Sequence, residues 1–390
     1  MAWYEIIVLG SPTPSQMKQL KDRIGEAATS FQLRMPGEID VLVGAAMSSR
    51  NPKAAAVALY FGGDPTIDAD RVDELEAAKV PVVPVVFEGA AVSFSKAIPA
   101  AIRPVNACIV PADDGRLDTL APVALEIVGL LHRQRRIFVS YRRTDSREAA
   151  VQLHDELSGR GFDVFLDTHD IRPGADFQEM LWHRLVDCDV MIVLDTKNYL
   201  DSKWTPQEIG RAQALGVQIL RVVWPGHRGT AHLSLSDTVV LAKHDLHLRK
   251  RLSVAVVSDI ARRAEALRSR SIATRQLDIF GKLKVEVERI NGKFEGIGAH
   301  RAMALTLPMG KTIEAYPVVG VPTAEMLNDV YSKATKAKHG RFPCLVYDHT
   351  GIRPAWLDHL AWLDKNIAGV RTLKILGAGY ELVGWDGDAQ

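Results

Sequence analysis

The chain is expected to fold as α/β, with two doubly wound parallel units in succession and a small α+β segment behind them. Three observations predict this. Apolar runs rich in Val and Ile recur through the first 224 residues, and helical patterns fill the gaps between them. The rhythm restarts just after the basic run HRQRR (132–136), and it changes character beyond residue 291.

The first unit spans residues 1–132. YEIIVLG (4–10) is a strand run, and SPTPSQMKQLKDRIGEA reads as a loop and an amphipathic helix. IDVLVGA (39–45), AAVALYF (55–61) and VPVVPVVF (80–87) are further strand runs, and 117–132 contains a helix. These runs are continuously apolar rather than alternating, as in a parallel sheet covered on both faces.

The second unit spans residues 133–245. RIFVSY (136–141), FDVFLD (162–167), VMIVLD (190–195) and VQILRVVW (217–224) are its strands. SREAAVQLHDELSGRG, EMLWHRLVDC and TPQEIGRAQALG are its helices, and THDIRPGADF is a loop. Residues 246–291 form a helical linker with Leu252, Val256, Ile260 and Leu267 on one face. It carries Arg249, Lys250, Arg251, Arg262, Arg263, Arg268 and Arg270, read as a solvated face, with a phosphate- or nucleic-acid-facing helix as the alternative. The tail, 292–390, is a small α+β domain. ALTLPM, EAYPVVGV, FPCLVYD, VRTLKIL and YELVGW are its strands, and helices fit 322–338 and 355–366. Nothing in the tail names a ligand.

The two α/β units share a rhythm. VDELEAAKVPVVPVVFEG (72–89) and IGRAQALGVQILRVVWPG (209–226) align at an offset of 137 residues, so the first unit reads as a degenerate copy of the second.

Composition narrows the function classes. Apolar residues make up 47% and charged residues 24%, the balance of a globular protein, and the net charge of +1 argues against nucleic acid as the main partner. Residues 1–130 carry 11 Lys/Arg against 16 Asp/Glu, so the excess positive charge lies in the rest of the chain. Three scattered cysteines, Cys108, Cys188 and Cys344, build neither a disulfide framework nor a metal knuckle. MAWYEIIVLG lacks the features of a signal peptide, and no apolar run reaches the roughly 18 residues of a spanning helix. A cytoplasmic protein without a membrane partner is the expectation.

The chemistry concentrates in the second unit. FVSYRRTD places Ser140, Tyr141, Arg142 and Arg143 at the carboxyl edge of a parallel strand, where open α/β sheets bind ligands. Adjacent guanidinium forks suit phosphate or carboxylate, although salt bridges in a solvated loop would use the same residues. DTHDIRPGADF (167–177) carries Arg172 beside a Pro–Gly turn that would serve as a lid. In KWTPQEI (203–209), Pro206 opens a helix and Glu208 lies in its first turn, a position that the helix dipole alone would favour. The functional alternative places Glu208 at a pocket mouth, with Trp204 as a flat face for a ring. DTKNYLDSKW, which holds Tyr199, forms the other wall.

Taken in order, FVSYRR, DIRPG, CDVMIVLDTKNYLDSKW and WTPQE resemble the boxes of the TIR (Toll/interleukin-1 receptor) domain over roughly residues 135–245. The fold implied is flavodoxin-like. WTPQE is similar to the Trp-x-x-x-Glu of TIR domains that hydrolyse NAD, including the axonal degeneration NADase and many bacterial and plant immune proteins. By that resemblance Glu208 is the catalytic glutamate. Arg142, Arg143 and Arg172 lie near the phosphates and riboses of NAD+, and Trp204 stacks on a ring. Asp176 and Phe177 depart from the family pattern, so no nicotinamide-stacking residue is assigned. NAD+ is implied as substrate, with no cofactor or metal, and the products are nicotinamide with ADP-ribose or a cyclic ADP-ribose. The resemblance also implies activation by self-association through TIR domains, an unidentified trigger and a setting in anti-phage defence. The alternative is a non-catalytic interaction module like the animal receptor adaptors. In the first unit Arg71 stands opposite Glu208 and Ile67 opposite Trp204, so that unit is expected to lack the chemistry.

Several other features are set aside. MGKT (309–312) lacks the upstream glycine of a phosphate loop, since Leu305 stands there. His349 beside Asp348 is read as structural, Cys188 as core, and Trp356, Trp362 and Trp385 as core rather than ligand-stacking.

Overall fold

The computed structural model describes residues 2–89, 93–112, 114–115, 117–166, 177–201, 205–247, 251–337 and 339–387. The chain divides into two compact units, Met1–Arg133 and Gln134–Gln390.

In the first unit the strands are β1 (Tyr4–Gly10), β2 (Ile39–Val43), β3 (Ala55–Phe61), β4 (Val82–Phe87) and β5 (Cys108–Val110). Between and after them run α1 (Pro14–Ser30), α2 (Ala69–Ala77), the short α3 (Phe94–Ala97) and α4 (Leu120–Ile127). All pairings are parallel, in the order β2-β1-β3-β4-β5. β1 is an inner strand paired on both sides, and Ile6, Ile7, Val8 and Leu9 are all buried, which is why YEIIVLG is apolar without alternation. α1 starts at a capping box. Thr13 Oγ1 accepts from Gln16 N at 3.2 Å, while Gln16 Oε1 accepts from Thr13 N at 2.8 Å.

The second unit opens with β6 (Arg136–Ser140), α5 (Arg143–Gly159), β7 (Asp163–Leu166), α6 (Phe177–Asp187) and β8 (Val190–Asp195). α7 (Thr205–Ala214), β9 (Gln218–Val223) and β10 (Asp237–Val240) follow. Their parallel order, β10-β9-β8-β6-β7, is the order of the first sheet read from the other edge. The doubly wound parallel fold expected for both units is therefore present. The edge strands β5 and β10 escaped the sequence reading, because runs of three and four residues, partly exposed, carry little hydrophobic signal.

The expected helical linker is one 36-residue helix, α8 (Val254–Arg289), begun by Ser253, whose Oγ accepts from Val256 N. It is packed along much of its length. Val256, Val257, Ile260, Ala261, Ala264 and Leu267 join the core formed with Val139, Leu153, Ile192 and Leu220. Farther along, Ile279, Phe280, Leu283 and Val287 are buried where the helix meets a third sheet.

The solvated-face reading of the arginine run is corrected for its central member. Arg268 is only 1% exposed. Its Nε donates to Asp189 Oδ2 at 3.1 Å and its Nη2 to Gln134 O at 3.2 Å. Asp189 Oδ2 also accepts from Arg136 N at 3.1 Å. One turn or two beyond, Arg275 Nη1 and Nη2 donate to Cys188 O at 2.8 Å and Val186 O at 2.6 Å. Those carbonyls lie at the end of α6, where the helix leaves its last acceptors unsatisfied and the dipole favours a cation. Arg263 is ion-paired with Asp237 and Asp259, Arg262 pairs with Asp259, and only Arg251 and Arg270 of the described members are exposed. Arg249 and Lys250 lie outside the described residues. A count of charges sees the run but not the acceptors waiting for it.

The third sheet comprises β11 (Lys293–Ile297), β12 (Met303–Thr306), β13 (Thr312–Val318), β14 (Phe342–Tyr347) and β15 (Arg371–Lys374). It is mixed, antiparallel through β11-β12-β13 and parallel through β13-β14-β15, with α9 (Ala324–Ala337), α10 (Pro354–Asn366) and α11 (Ala378–Gly387) as its helices. YELVGW, expected as a strand, lies in α11. Its buried positions, Ala378, Leu382, Trp385 and Asp386, follow a helical spacing that the β-favouring residue types disguise. The loops after β13 and β14 press on the end of α6. Val321 N donates to Asp187 Oδ1 at 2.8 Å, and a Cβ on Gly351, whose φ is +87°, would lie 2.8 Å from Val186 Cγ2. Cys188 and Cys344 are buried, and burial raises both thiols well above their usual range. Trp385 is buried and Trp356 half-buried, but Trp362 is 59% exposed and does not belong to the core. Asp348, next to His349, is held by Lys282 at 3.3 Å. No described helix is long and apolar enough to cross a membrane.

Removing one partner of a buried ion pair leaves the other charge uncompensated, which costs about 3–5 kcal/mol. Arg268→Met is expected to destabilise the second unit by about that amount in urea unfolding. The double variant Arg268→Met, Asp189→Asn is expected to recover a large part of the loss; no recovery would mean that the guanidinium acts through packing alone.

Candidate functional site

In a sheet of this order the chain reverses its winding between β6 and β8, and the crevice outside the carboxyl ends of those strands is where ligands bind. Ser140 ends β6 in register with Val193 of β8, and it is fully buried at that crevice. The segment after β8 turns through Tyr199 and reaches α7, whose first turn brings Glu208 to the same point.

The local pattern explains why Glu208 points inward. Thr205, Glu208, Ile209 and Ala212 are buried together on α7, the i, i+3, i+4, i+7 stripe of a core-facing helix. Glu208 was expected at a pocket mouth, but it is 1% exposed. A carboxylate in that stripe must be hydrogen-bonded to be tolerated. Ser140 Oγ donates to Glu208 Oε2 at 2.5 Å and lies 2.7 Å from Tyr199 Oη. Since the single serine proton goes to Glu208, the tyrosine hydroxyl donates to Ser140, giving the order Tyr199 to Ser140 to Glu208. Thr205 Oγ1 donates to Tyr199 O at 2.9 Å and fixes the tyrosine segment to the helix that carries the carboxyl group. Such a unit places one carboxyl group in a dry environment at the sheet's ligand edge, where electrostatic interactions are little screened.

The arginines differ from one another. Arg142 caps the start of α5, and its Nη1 donates to Asn198 O at 3.0 Å and Asp201 Oδ2 at 3.1 Å. It thus ties α5 to the segment after β8. Asp145 completes that tie by accepting from Thr196 Oγ1 at 2.9 Å. Burial raises the Asp145 carboxyl, but the hydrogen bonds from Thr144 and Thr196 and the Arg142 charge outweigh it and hold the group below its usual range. Arg143 is exposed at the first position of α5 and makes no ion pair among the described residues. Tyr141 is buried in the core cluster that includes Leu153 and Leu166. Arg172, Trp204 and Asp176 lie outside the described residues.

Sequence reasoning named the loop around Tyr199 as a wall but missed the residue as a hydrogen-bonding member of the site; a tyrosine in a polar loop gives no such signal. It also missed Asp195. That carboxylate, fully buried at the end of β8, accepts from Thr230 N and Thr230 Oγ1, both at 2.8 Å, and orders the segment after β9. In the first unit the corresponding crevice holds a different arrangement. Gly10 N, at the end of β1, donates to Asp68 Oδ2 at 3.0 Å, and Arg71 is ion-paired with the same carboxylate. A carboxylate is present there, but a guanidinium already neutralises it.

A family model described as TIR domain matches residues 137–245. A protein of Brachypodium distachyon named as a probable 2′ cyclic ADP-D-ribose synthase, BdTIR, is 27% identical over 74 residues, which is 19% of this chain and 33% of that relative. The chain thus spans about a third of the length of the curated relative it matches. Among solved structures, the TIR domains of the activated Roq1 resistosome are 17% identical over 35% of this chain and 84% of that one, with a TM-score of 0.23. A periplasmic sugar-binding protein of Legionella pneumophila is 12% identical over 71% of this chain and 94% of that one, with a TM-score of 0.18. With its motifs in order, its five-stranded parallel sheet and the family model over the same stretch, the segment 137–245 is a TIR domain.

Proposed function

We propose that the TIR domain cleaves the bond between nicotinamide and ribose in NAD+, with Glu208 as the catalytic carboxylate. One observation carries this reading. A glutamate of the Trp-x-x-x-Glu motif sits dry at the switch-point crevice, on a serine that ends the inner strand β6. Breaking this bond builds positive charge on the ribose, while nicotinamide departs neutral. A general acid is then not required, and the usual glycosidase pair of carboxylates reduces to one. A single carboxylate facing the developing oxocarbenium ion stabilises it electrostatically. Water completes the reaction to ADP-ribose, and attack from within the molecule gives a cyclic ADP-ribose. In this reading the exposed Arg143 receives a phosphate of the dinucleotide, with Arg172 and Trp204 as further contacts. The similarity to the probable 2′ cyclic ADP-D-ribose synthase of Brachypodium distachyon supports the same class of chemistry.

Because Glu208 is 1% exposed, the domain must open before substrate reaches it. Self-association of TIR domains, driven by a trigger acting on the flanking regions, is the proposed cause, and anti-phage defence is the setting proposed for it. The burial of Glu208 also favours a second reading, in which the residue is purely structural and the domain is a non-catalytic interaction module.

Incubation of the purified protein with NAD+ at rising protein concentration, with products identified by mass spectrometry, separates the two. Release of nicotinamide that steepens with concentration is expected, and Glu208→Gln is expected to reduce it by about 100–1000-fold. Equal release, or equal silence, from wild type and Glu208→Gln across all concentrations would sink the enzymatic reading. Ser140→Ala, a positioning variant, strips a donor from the buried carboxyl and is expected to cost about 1–3 kcal/mol in urea unfolding. It is expected to lower kcat more than it raises KM, whereas a merely structural serine would lower stability and leave the kcat of the folded fraction unchanged.

A further inference from the structure

Asp195 ends β8 two residues beyond Val193, the register partner of Ser140. Side chains alternate along a strand. Phe138, Met191 and Val193 share the core cluster that holds Tyr199 and Ile209, while Val139, Ile192 and Leu194 belong to the cluster on the other face. Ser140 and Asp195 therefore stand on the α7 face of the sheet, at the same carboxyl edge. The spacing and rise of strands put their Cα atoms about 8 Å apart.

The segment after β9 folds back onto this carboxylate. Trp224, Pro225, Gly226 and His227 form a tight turn, closed by His227 N donating to Trp224 O at 3.2 Å. Pro225 and Gly226, the latter at a φ of +77°, hold the two central positions, where that pair is favoured. The segment is anchored independently of the histidine ring. Trp224 N donates to Asp195 O at 3.0 Å, and Thr230 N and Oγ1 donate to the Asp195 carboxylate, both at 2.8 Å. The ring adds a further contact, with His227 Nε2 lying 3.2 Å from Asp195 Oδ1.

A carboxylate oxygen accepts, so the shared proton sits on Nε2 and Nδ1 keeps a lone pair. Nδ1 has no hydrogen-bond partner among the described residues, and the side chain keeps 19% of its surface open. Asp195 behind it is 0% exposed, with the Arg221 guanidinium 4.0 Å from its other oxygen. A ring nitrogen with a free lone pair, oriented by a dry carboxylate on the opposite side, is the arrangement of a general base. The carboxylate fixes the tautomer and stabilises the imidazolium once it forms. Building on the NAD+ cleavage proposed above, we propose that His227 is the base for the second half of that reaction, with Asp195 as its positioning residue.

The proton count explains why a base is needed there. When the bond from ribose C1′ to nicotinamide breaks, its electron pair leaves on the nicotinamide nitrogen and no proton moves. The oxygen of water, or of a hydroxyl in the dinucleotide itself, then bonds to C1′ and must lose its proton. His227 Nδ1 takes that proton and later releases it to solvent. Return of nicotinamide to C1′ remakes the first bond and frees no proton, so it has no use for the base.

Incubation of the full chain with NAD+ and isotopically labelled nicotinamide reads both fates in one mixture. Label entering NAD+ reports exchange, and ADP-ribose plus any cyclic product reports attack by oxygen. His227→Gln keeps an amide donor for Asp195 but supplies no base. It is expected to raise the ratio of exchange to oxygen attack by about tenfold or more, since a positioned base contributes roughly 100-fold or more. Exchange itself is expected to stay near the wild-type rate, which also shows that the variant is folded. An unchanged ratio in a variant that still exchanges would overturn the role of His227 alone. Loss of exchange and oxygen attack together would overturn it as well, marking the histidine as part of the fold. A wild type that neither exchanges nor cleaves at any concentration would overturn the NAD+ reading and this role with it.

Discussion

The second unit depends on how α8 closes the amino-terminal edge of the TIR sheet. Strand starts and helix ends collect backbone groups that cannot be left dry without a partner. α8 satisfies them with side chains. Arg268 takes Asp189 and Gln134 O, Ser271 Oγ accepts from Gln218 N at 3.3 Å, and Arg275 takes the last carbonyls around α6. A fork of fixed geometry suits this task, because one guanidinium reaches two acceptors without the entropy cost of ordering two separate side chains. The same helix carries its apolar residues against the third sheet, so a single element forms part of both cores.

Closing one edge leaves the opposite edge free. At the carboxyl ends of β6 and β8 the winding reverses. Three decisions of the sequence then meet there. A small hydroxyl residue ends β6, a tyrosine follows β8, and a glutamate takes a core-facing position in α7. In the first unit the sheet has the same order, yet the crevice closes with a glycine amide, an aspartate and an arginine. Shared topology sets the place where chemistry is possible, and the side chains at that place decide whether a carboxylate keeps its charge available.

Central strands were legible in the sequence because burial on both faces leaves no ambiguity. YEIIVLG, AAVALYF and VMIVLD coincide with β1, β3 and β8. The short edge strands β5 and β10 and the last helix were not, since exposure removes the pattern at β5 and β10, and Tyr, Val and Trp favour strands in YELVGW while their spacing favours a helix. Glu208 was legible as a position in a motif, and its surroundings were not. The stripe of Thr205, Glu208, Ile209 and Ala212 was available to a periodicity argument, but a carboxylate is ordinarily placed outside such a stripe. Arg268 was lost for the matching reason. A charge on a helix is assigned to solvent by default, and its buried partner Asp189 lies 79 residues away in sequence.

The closed relay at Glu208 has a consequence for the proposed reaction. A carboxylate that stabilises an oxocarbenium ion works best with little water around it, and burial supplies that environment. Burial also denies access to substrate, so the feature that would make the carboxylate effective keeps it idle in the closed state. The hydrogen bonds from Tyr199 to Ser140 and from Ser140 to Glu208 hold the group in place, each with a net worth of about 0.5–3 kcal/mol. An interaction of that size can be overcome by the binding energy released when one domain docks on another, and it is large enough to keep an isolated domain closed most of the time. In the proposed reaction the gate and the catalytic group are the same residue. Loosening the relay without docking would expose the carboxylate to water, raising access while weakening the electrostatic effect that access was meant to serve.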